Sequence, residues 1–147
     1  MPSERGSRGP NGLCRRLHPH AGLAIILVLY LILAFFSIPH LIDDFLFDIP
    51  VEFGISVRFT QFLAGVFIVV YLWILIPLAR GKKSGIYQAI GMGIFLALAG
   101  ILKHIPLMLQ PGPYWSGWFS ELLIIGMIIS GISLAITGIA ALRRIQQ

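Results

Sequence analysis

The sequence contains a single cysteine, Cys14, among 147 residues. One cysteine permits neither an intramolecular disulfide nor a CxxC redox pair, and membrane thiol oxidoreductases need paired cysteines. Cys14 also precedes the first apolar run instead of ending one, which excludes a lipoprotein attachment site. That run closes with Ser37-Ile38-Pro39 and has no small-x-small cleavage site, so we expect a retained helix and not a secretory signal.

Charged residues make up only 12% of the chain, and no ionisable residue falls in the middle third of an apolar run. Proton-coupled transporters and ion pumps need a titratable group near the middle of the membrane. Small multidrug-resistance transporters depend on a glutamate within their first span, which this chain lacks. No His or Asp lies at the depth of Ser130 or Ser133, so an intramembrane protease is also disfavoured.

Apolar residues make up 57% of the chain, and its mean hydropathy is +0.89. A helix needs about 20 apolar residues to cross the hydrocarbon core. Runs of that length lie at about 21–38, 59–78, 85–104 and 119–142. They predict an all-α integral membrane protein, an antiparallel up-down-up-down bundle of four transmembrane helices formed by residues 20–147. Residues 1–19, rich in Gly, Pro, Ser and Arg, are predicted to form a disordered basic tail.

The basic and acidic residues are predicted to lie mainly on opposite sides of the membrane. Nine of the eleven Lys/Arg residues lie in the N-terminal tail, the second loop and the C-terminus, beside a single acid, Glu4. The first and third loops hold the other five acids and only two basic residues. The positive-inside rule then predicts a protein of the cytoplasmic membrane with both termini in the cytosol. Because topology accounts for the basic residues, no nucleic-acid partner is indicated.

Two stripes of small residues predict close helix contacts, either within one bundle or between subunits. The third apolar run carries Gly85, Ala89, Gly93, Ala97 and Gly100, followed by His104. The fourth carries Gly126, Ser130, Ser133, Thr137, Ala140 and Ala141.

Polar side chains gather where the first and third apolar runs end and the fourth begins. His40, Asp43 and Asp44 follow the first run, with Asp48 beyond them, and His104 ends the third. If the helix continues past Pro39, His40 and Asp44 share one face at i and i+4. The sequence therefore predicts a cluster at the outer end of the bundle.

Four interpretations of this cluster remain open. In the first, its members are interface residues that pair with Arg58, Lys103 or water. In the second, they hold a divalent metal, since imidazole and carboxylate suit Zn, Fe, Mn and Cu. A third interpretation is a b-type haem between His40 and His104, because no CxxCH motif is present. A fourth is a lipid or small-molecule site, with acid/base chemistry by His40 and Asp44. The candidate metal ligands are His40, Asp43, Asp44, His104 and Glu121.

The four-span topology, with Ile38, Pro39, His40 and Asp43 at the end of the first run, resembles that of four-span sterol-binding proteins of the emopamil-binding type. The resemblance implies a bundle with a ligand cavity that contains acidic groups. No motif matches residue by residue, and the acids of this chain are expected at the outer rim.

Together these patterns favour a non-catalytic membrane protein, either an accessory subunit or a binder of lipid or hydrophobic ligand, whose polar face is extracytoplasmic. Its expected partners are the lipid bilayer and other membrane subunits or a second copy of the chain. The alternative is a haem- or metal-binding redox protein that uses His40 and His104. A membrane enzyme with acid/base chemistry ranks third.

Overall fold

The computed structural model describes residues 11–46, 54–112, 114 and 117–146. Four long helices dominate it, and the described residues contain no strand: α1 (Asn11–Leu46), α2 (Val57–Ala79), α3 (Lys83–Ala99) and α5 (Trp118–Gln146). A π-helical turn, Gly100–His104, and a short helix α4, Ile105–Met108, prolong α3. The all-α prediction is confirmed.

All four predicted spans correspond to helices that are long and apolar enough to cross a membrane. These segments are Gly22–Phe45, Val57–Ala79, Lys83–Met108 and Trp118–Arg144. The largest difference from the prediction is in α1, which was expected to leave the membrane at Ile38 but continues through Pro39. The helix is unbroken at Pro39 and keeps His40 and Asp44 on one helix.

Part of the predicted N-terminal tail and of the first loop falls outside the described residues. This applies to residues 1–10 and to Asp48 and Glu52. Helix α1 begins at Asn11, within the range predicted as the tail.

Large apolar side chains cover the outside of the bundle. Phe35 is 69% exposed, Trp73 66% and Leu102 72%. Such exposure is rare on monomeric soluble proteins, whereas in a bilayer these side chains contact lipid tails. The chain is therefore built as a small integral membrane protein.

A close helix contact joins α3 to α5 through glycines. A Cβ atom at Gly93 would lie 2.8 Å from the carbonyl oxygen of Gly131, and one at Gly138 would lie 2.5 Å from the Ile90 side chain. The small stripe of α3 is buried as predicted. In α5, Gly131 and Gly138 make this contact, and the stripe predicted from the sequence omitted both.

Helix α1 runs opposite to α2. Near the start of α1, Leu23 lies against Gly81 in the turn that follows α2. One to two turns further along, the hydroxyl of Tyr30 donates a 2.8 Å hydrogen bond to the carbonyl of Tyr71. The polar end of α1, at His40, is therefore at the end of the bundle opposite to the basic turn between α2 and α3.

Candidate functional site

The π-helical turn positions two consecutive side chains of the site, Lys103 and His104. Its wider hydrogen bond runs from the amide of Ile105 to the carbonyl of Gly100. Pro106 follows directly, has no N–H for the carbonyl of Leu102, and would crowd that carbonyl in a regular α-helix. Turns of this kind are frequent at functional sites because they reorient side chains within a helix.

His40 and His104 meet at the centre of the site. Their Nε2 atoms lie 3.2 Å apart, and their rings cross at 77° with centroids separated by 4.6 Å. Both residues are buried, at 5% and 3% exposure. The prediction that the ends of the first and third spans bring these two residues together agrees with this geometry.

Tyr114 orients the ring of His104. Its hydroxyl lies 2.6 Å from Nδ1 of His104. Burial raises the pKa of the Tyr114 phenol above its ordinary value, and the charges of Asp44 and Asp43 add to that increase. The phenol therefore stays protonated, and its oxygen can both accept and donate. Sequence analysis missed this role, although Tyr114 follows His104 by only ten positions in a short connection.

Asp44 lies between a histidine and a lysine. Its Oδ1 is 3.8 Å from Nε2 of His40, and its Oδ2 is 3.7 Å from Nζ of Lys103. The i, i+4 relation of His40 and Asp44 thus holds because α1 stays helical after Pro39. Among the described residues, three buried side-chain atoms have no hydrogen-bond partner: Oγ of Ser37, Nδ1 of His40 and Oδ1 of Asp44.

The other two predicted acidic ligands are not part of the donor group of His40, Asp44 and His104. Asp43 is buried and accepts a hydrogen bond from the hydroxyl of Ser120, at the start of α5. Glu121 is half-buried and is not part of the donor group around His40. Arg58, considered as an ion-pair partner, is exposed to solvent. Ser120 is a contact that the sequence could not reveal, since it lies 77 positions from Asp43.

A partly open cavity of about 340 Å³ adjoins the cluster. One wall is polar and includes His40, Asp44, Lys103 and His104, with Ser37 and Thr60 at its border. The acids were expected at the rim, but Asp44 lies in this wall. The remaining lining is apolar and comes from α1, α2, α3 and α5: Leu41, Leu63, Ala64, Phe67, Phe95, Leu96, Ala99 and Met127.

The arrangement can provide ligands for one cation. Among the described residues, His40, Asp44 and His104 form a group whose donor atoms all lie within 4.8 Å of one another. A haem would need the two histidines on opposite sides of the macrocycle. Because the two Nε2 atoms are in direct contact, the rings would have to separate before a porphyrin could lie between them.

No known protein family, curated protein or solved structure matches this chain. Its function is therefore inferred from the geometry of the site.

Proposed function

We propose that this protein binds a hydrophobic small molecule or lipid within the membrane, without chemical conversion, in the cavity between α1, α2 and α3. The observation that carries the proposal is the composition of the cavity, which is apolar except for one wall. Pockets for small molecules have this character, with volumes of about 300–1,000 Å³ and a few polar groups that fix orientation.

The polar wall favours a ligand whose head group donates hydrogen bonds, such as a hydroxyl or an amine. Oδ1 of Asp44 is a buried acceptor without a hydrogen-bond partner. A buried acceptor of this kind costs free energy until a donor reaches it. The ammonium of Lys103 lies 3.7 Å from the other carboxylate oxygen, Oδ2, and Asp44 lines the cavity.

The cavity end of the bundle is assigned to the extracytoplasmic side, and both termini to the cytosol. Support comes from the basic turn Arg80-Gly81-Lys82-Lys83, which lies at the opposite end of the bundle from His40. Positive loops remain in the cytosol. The test uses a Cys14→Ser background with a single new cysteine, Ser84→Cys or Pro111→Cys. A membrane-impermeant maleimide on intact cells should label only the Pro111→Cys protein, and labelling of both would refute the assignment.

Ligand binding is tested by filling the cavity. Ala64 of α2 lines it and is half-buried, so Ala64→Phe places a ring in the space a ligand would occupy. Wild-type and variant proteins are purified in detergent, and organic extracts of both are compared by mass spectrometry. A lipid or small molecule retained by the wild type should be depleted at least about tenfold in the variant, the ratio that 1.4 kcal/mol of binding free energy produces.

Val66→Phe is the matched control, because Val66 is 43% exposed on the same helix and does not line the cavity. It should retain the same molecule as the wild type. Identical extracts from the wild type, Ala64→Phe and Val66→Phe would refute a ligand in this cavity.

A further inference from the structure

We infer that His40, Asp44 and His104 bind one divalent transition-metal ion of the zinc class, with an open coordination position toward the cavity. Two imidazoles and one carboxylate are a ligand set that zinc accepts, and three protein ligands with one free position are typical of zinc sites that also bind a water or a substrate. All three side chains line the cavity.

The distances are close to those that zinc requires. Zinc–nitrogen bonds of about 2.0–2.1 Å at tetrahedral angles separate two ligand atoms by about 3.3 Å. The Nε2 atoms of His40 and His104 are 3.2 Å apart. Nε2 of His40 lies 3.8 Å from Oδ1 of Asp44, and all three donors lie within 4.8 Å of one another. Rotation of the short Asp44 side chain brings its oxygen into range.

The hydrogen bond to His104 agrees with metal coordination, whereas Nδ1 of His40 has no hydrogen-bond partner among the described residues. A metal-bound histidine usually donates its other ring N–H to a neighbouring oxygen. The Tyr114 oxygen lies 2.6 Å from Nδ1 of His104, in position to accept that bond and leave Nε2 for the metal. A direct hydrogen bond between the two rings would leave Oδ1 of Asp44 buried without a partner, whereas a cation at the centre supplies one.

The charges of the site also permit a cation. Asp44 supplies a carboxylate whose Oδ2 lies 3.7 Å from Nζ of Lys103, and Lys103 is partly exposed at 35% of its side-chain surface. Asp43 adds a second buried carboxylate next to Asp44 in the chain, held by Ser120. The two acidic side chains outnumber the single lysine beside the imidazoles, which favours cation binding.

Zinc and the proposed head group would share Oδ1 of Asp44, but metal binding does not require the hydrophobic ligand, so the two proposals can fail separately. Ala64→Phe fills the apolar part of the cavity but leaves the three donor side chains unchanged, so it should lose the hydrophobic ligand and keep the metal. A protein that binds zinc but no lipid would refute only the proposed function.

The experiment titrates the full-length, chelator-treated protein in detergent with ZnCl₂, followed by desalting and metal analysis. The wild type should retain one zinc per chain, and titration with CoCl₂ should produce a visible absorption spectrum that zinc abolishes.

His40→Ala and His104→Ala should lose both signals. Asp44→Asn, which keeps the size of the side chain, should weaken zinc binding at least tenfold. Tyr114→Phe should weaken it about 10- to 100-fold through the lost orientation of His104.

His20→Ala and Glu121→Ala are matched controls, since they remove a histidine from the same helix and a carboxylate outside the donor group. Both should bind zinc as the wild type does. Because Asp44→Asn and Tyr114→Phe change few atoms, they test the site even if an alanine variant does not fold. No zinc in the wild type, or equal zinc in wild type and Asp44→Asn, would overturn the inference.

Discussion

The α3–α5 contact and the polar end of the bundle are built in opposite ways. Along α3 and α5, glycines let the two backbones approach until a single added carbon at Gly93 would overlap Gly131. At the polar end, α1, α2 and the π-helical turn stand far enough apart to leave a cavity of about 340 Å³. The first region leaves no space for a ligand, and the second holds His40, Asp44, Lys103 and His104 around such a space.

The difference indicates a division of labour within a small protein. In lipid, apolar side chains gain little by leaving one apolar medium for another, so close backbone packing must hold helices together. Helix α2 has only three buried residues, Tyr71, Ile74 and Leu78, and its close backbone contact is confined to its end, where Gly85 of α3 lies against Leu78. A rigid α3–α5 pair can therefore hold His104 in place while the less tightly packed α2 forms one wall of the cavity.

The largest expected effect is on the glycine contact. Gly93→Leu places a side chain where a Cβ would already lie 2.8 Å from a backbone oxygen of α5, so the helices must separate. Overpacking usually costs about 1–3 kcal/mol and more where backbone must move. We expect loss of the monodisperse folded peak in fluorescence-detected size-exclusion chromatography.

Gly91→Leu is the control for this variant. Gly91 is exposed on the same helix two positions earlier, with no atom within 4 Å of an added Cβ. Its unfolding temperature should equal or exceed that of the wild type, because glycine is a poor helix former. Equal behaviour of the two variants would show that the α3–α5 contact does not determine stability.

An intermediate effect is expected at the polar end. Ser120→Ala removes the donor to the buried carboxylate of Asp43 and leaves that oxygen one hydrogen bond short. Hydrogen bonds to charged groups contribute about 1.5–3 kcal/mol. The unfolding midpoint should fall measurably but by less than in Gly93→Leu, in a thermal unfolding experiment in detergent. Ser133→Ala, at a half-buried serine of the same helix, should change it less, and the reverse order would contradict the role given to Ser120.

The number and type of helices could be predicted from the sequence, because uninterrupted apolar runs of spanning length have few other solutions. The spacing of His40 and Asp44 was also sufficient to place them on one helix face. These two conclusions depend only on neighbours along the chain. The joining of His40 to His104 followed from topology, since both lie at the ends of spans that run in the same direction.

The remaining contacts depend on how each helix is rotated about its own axis. A span that is apolar on every side gives no sequence signal for that rotation. The chain therefore did not reveal that Gly131 faces α3, or that Ser120 meets Asp43. The π-helical turn could not be predicted from the sequence either, for a different reason. Pro106 shows where regular hydrogen bonding must fail, but not how the preceding turn adjusts.

The smallest expected effect concerns the contact between α1 and α2, which borders the cavity region. The hydroxyl of Tyr30 donates a 2.8 Å hydrogen bond to the carbonyl of Tyr71, a group that already lies within a helix. Tyr30→Phe removes the donor, and the carbonyl keeps its place in the helical ladder, so the loss should be about 0.5–1.5 kcal/mol. The rings, 4.6 Å apart, should continue to pack.

Thermal unfolding in detergent measures this loss, with Tyr87→Phe as the control because Tyr87 is 54% exposed on α3. Tyr30→Phe should shift the unfolding midpoint less than Ser120→Ala does, and Tyr87→Phe should leave it unchanged. A shift as large as that of Gly93→Leu would mean that α1 and α2 are held as firmly as α3 and α5. The cavity would then have a rigid wall on both sides, and the contrast between the two regions would no longer hold.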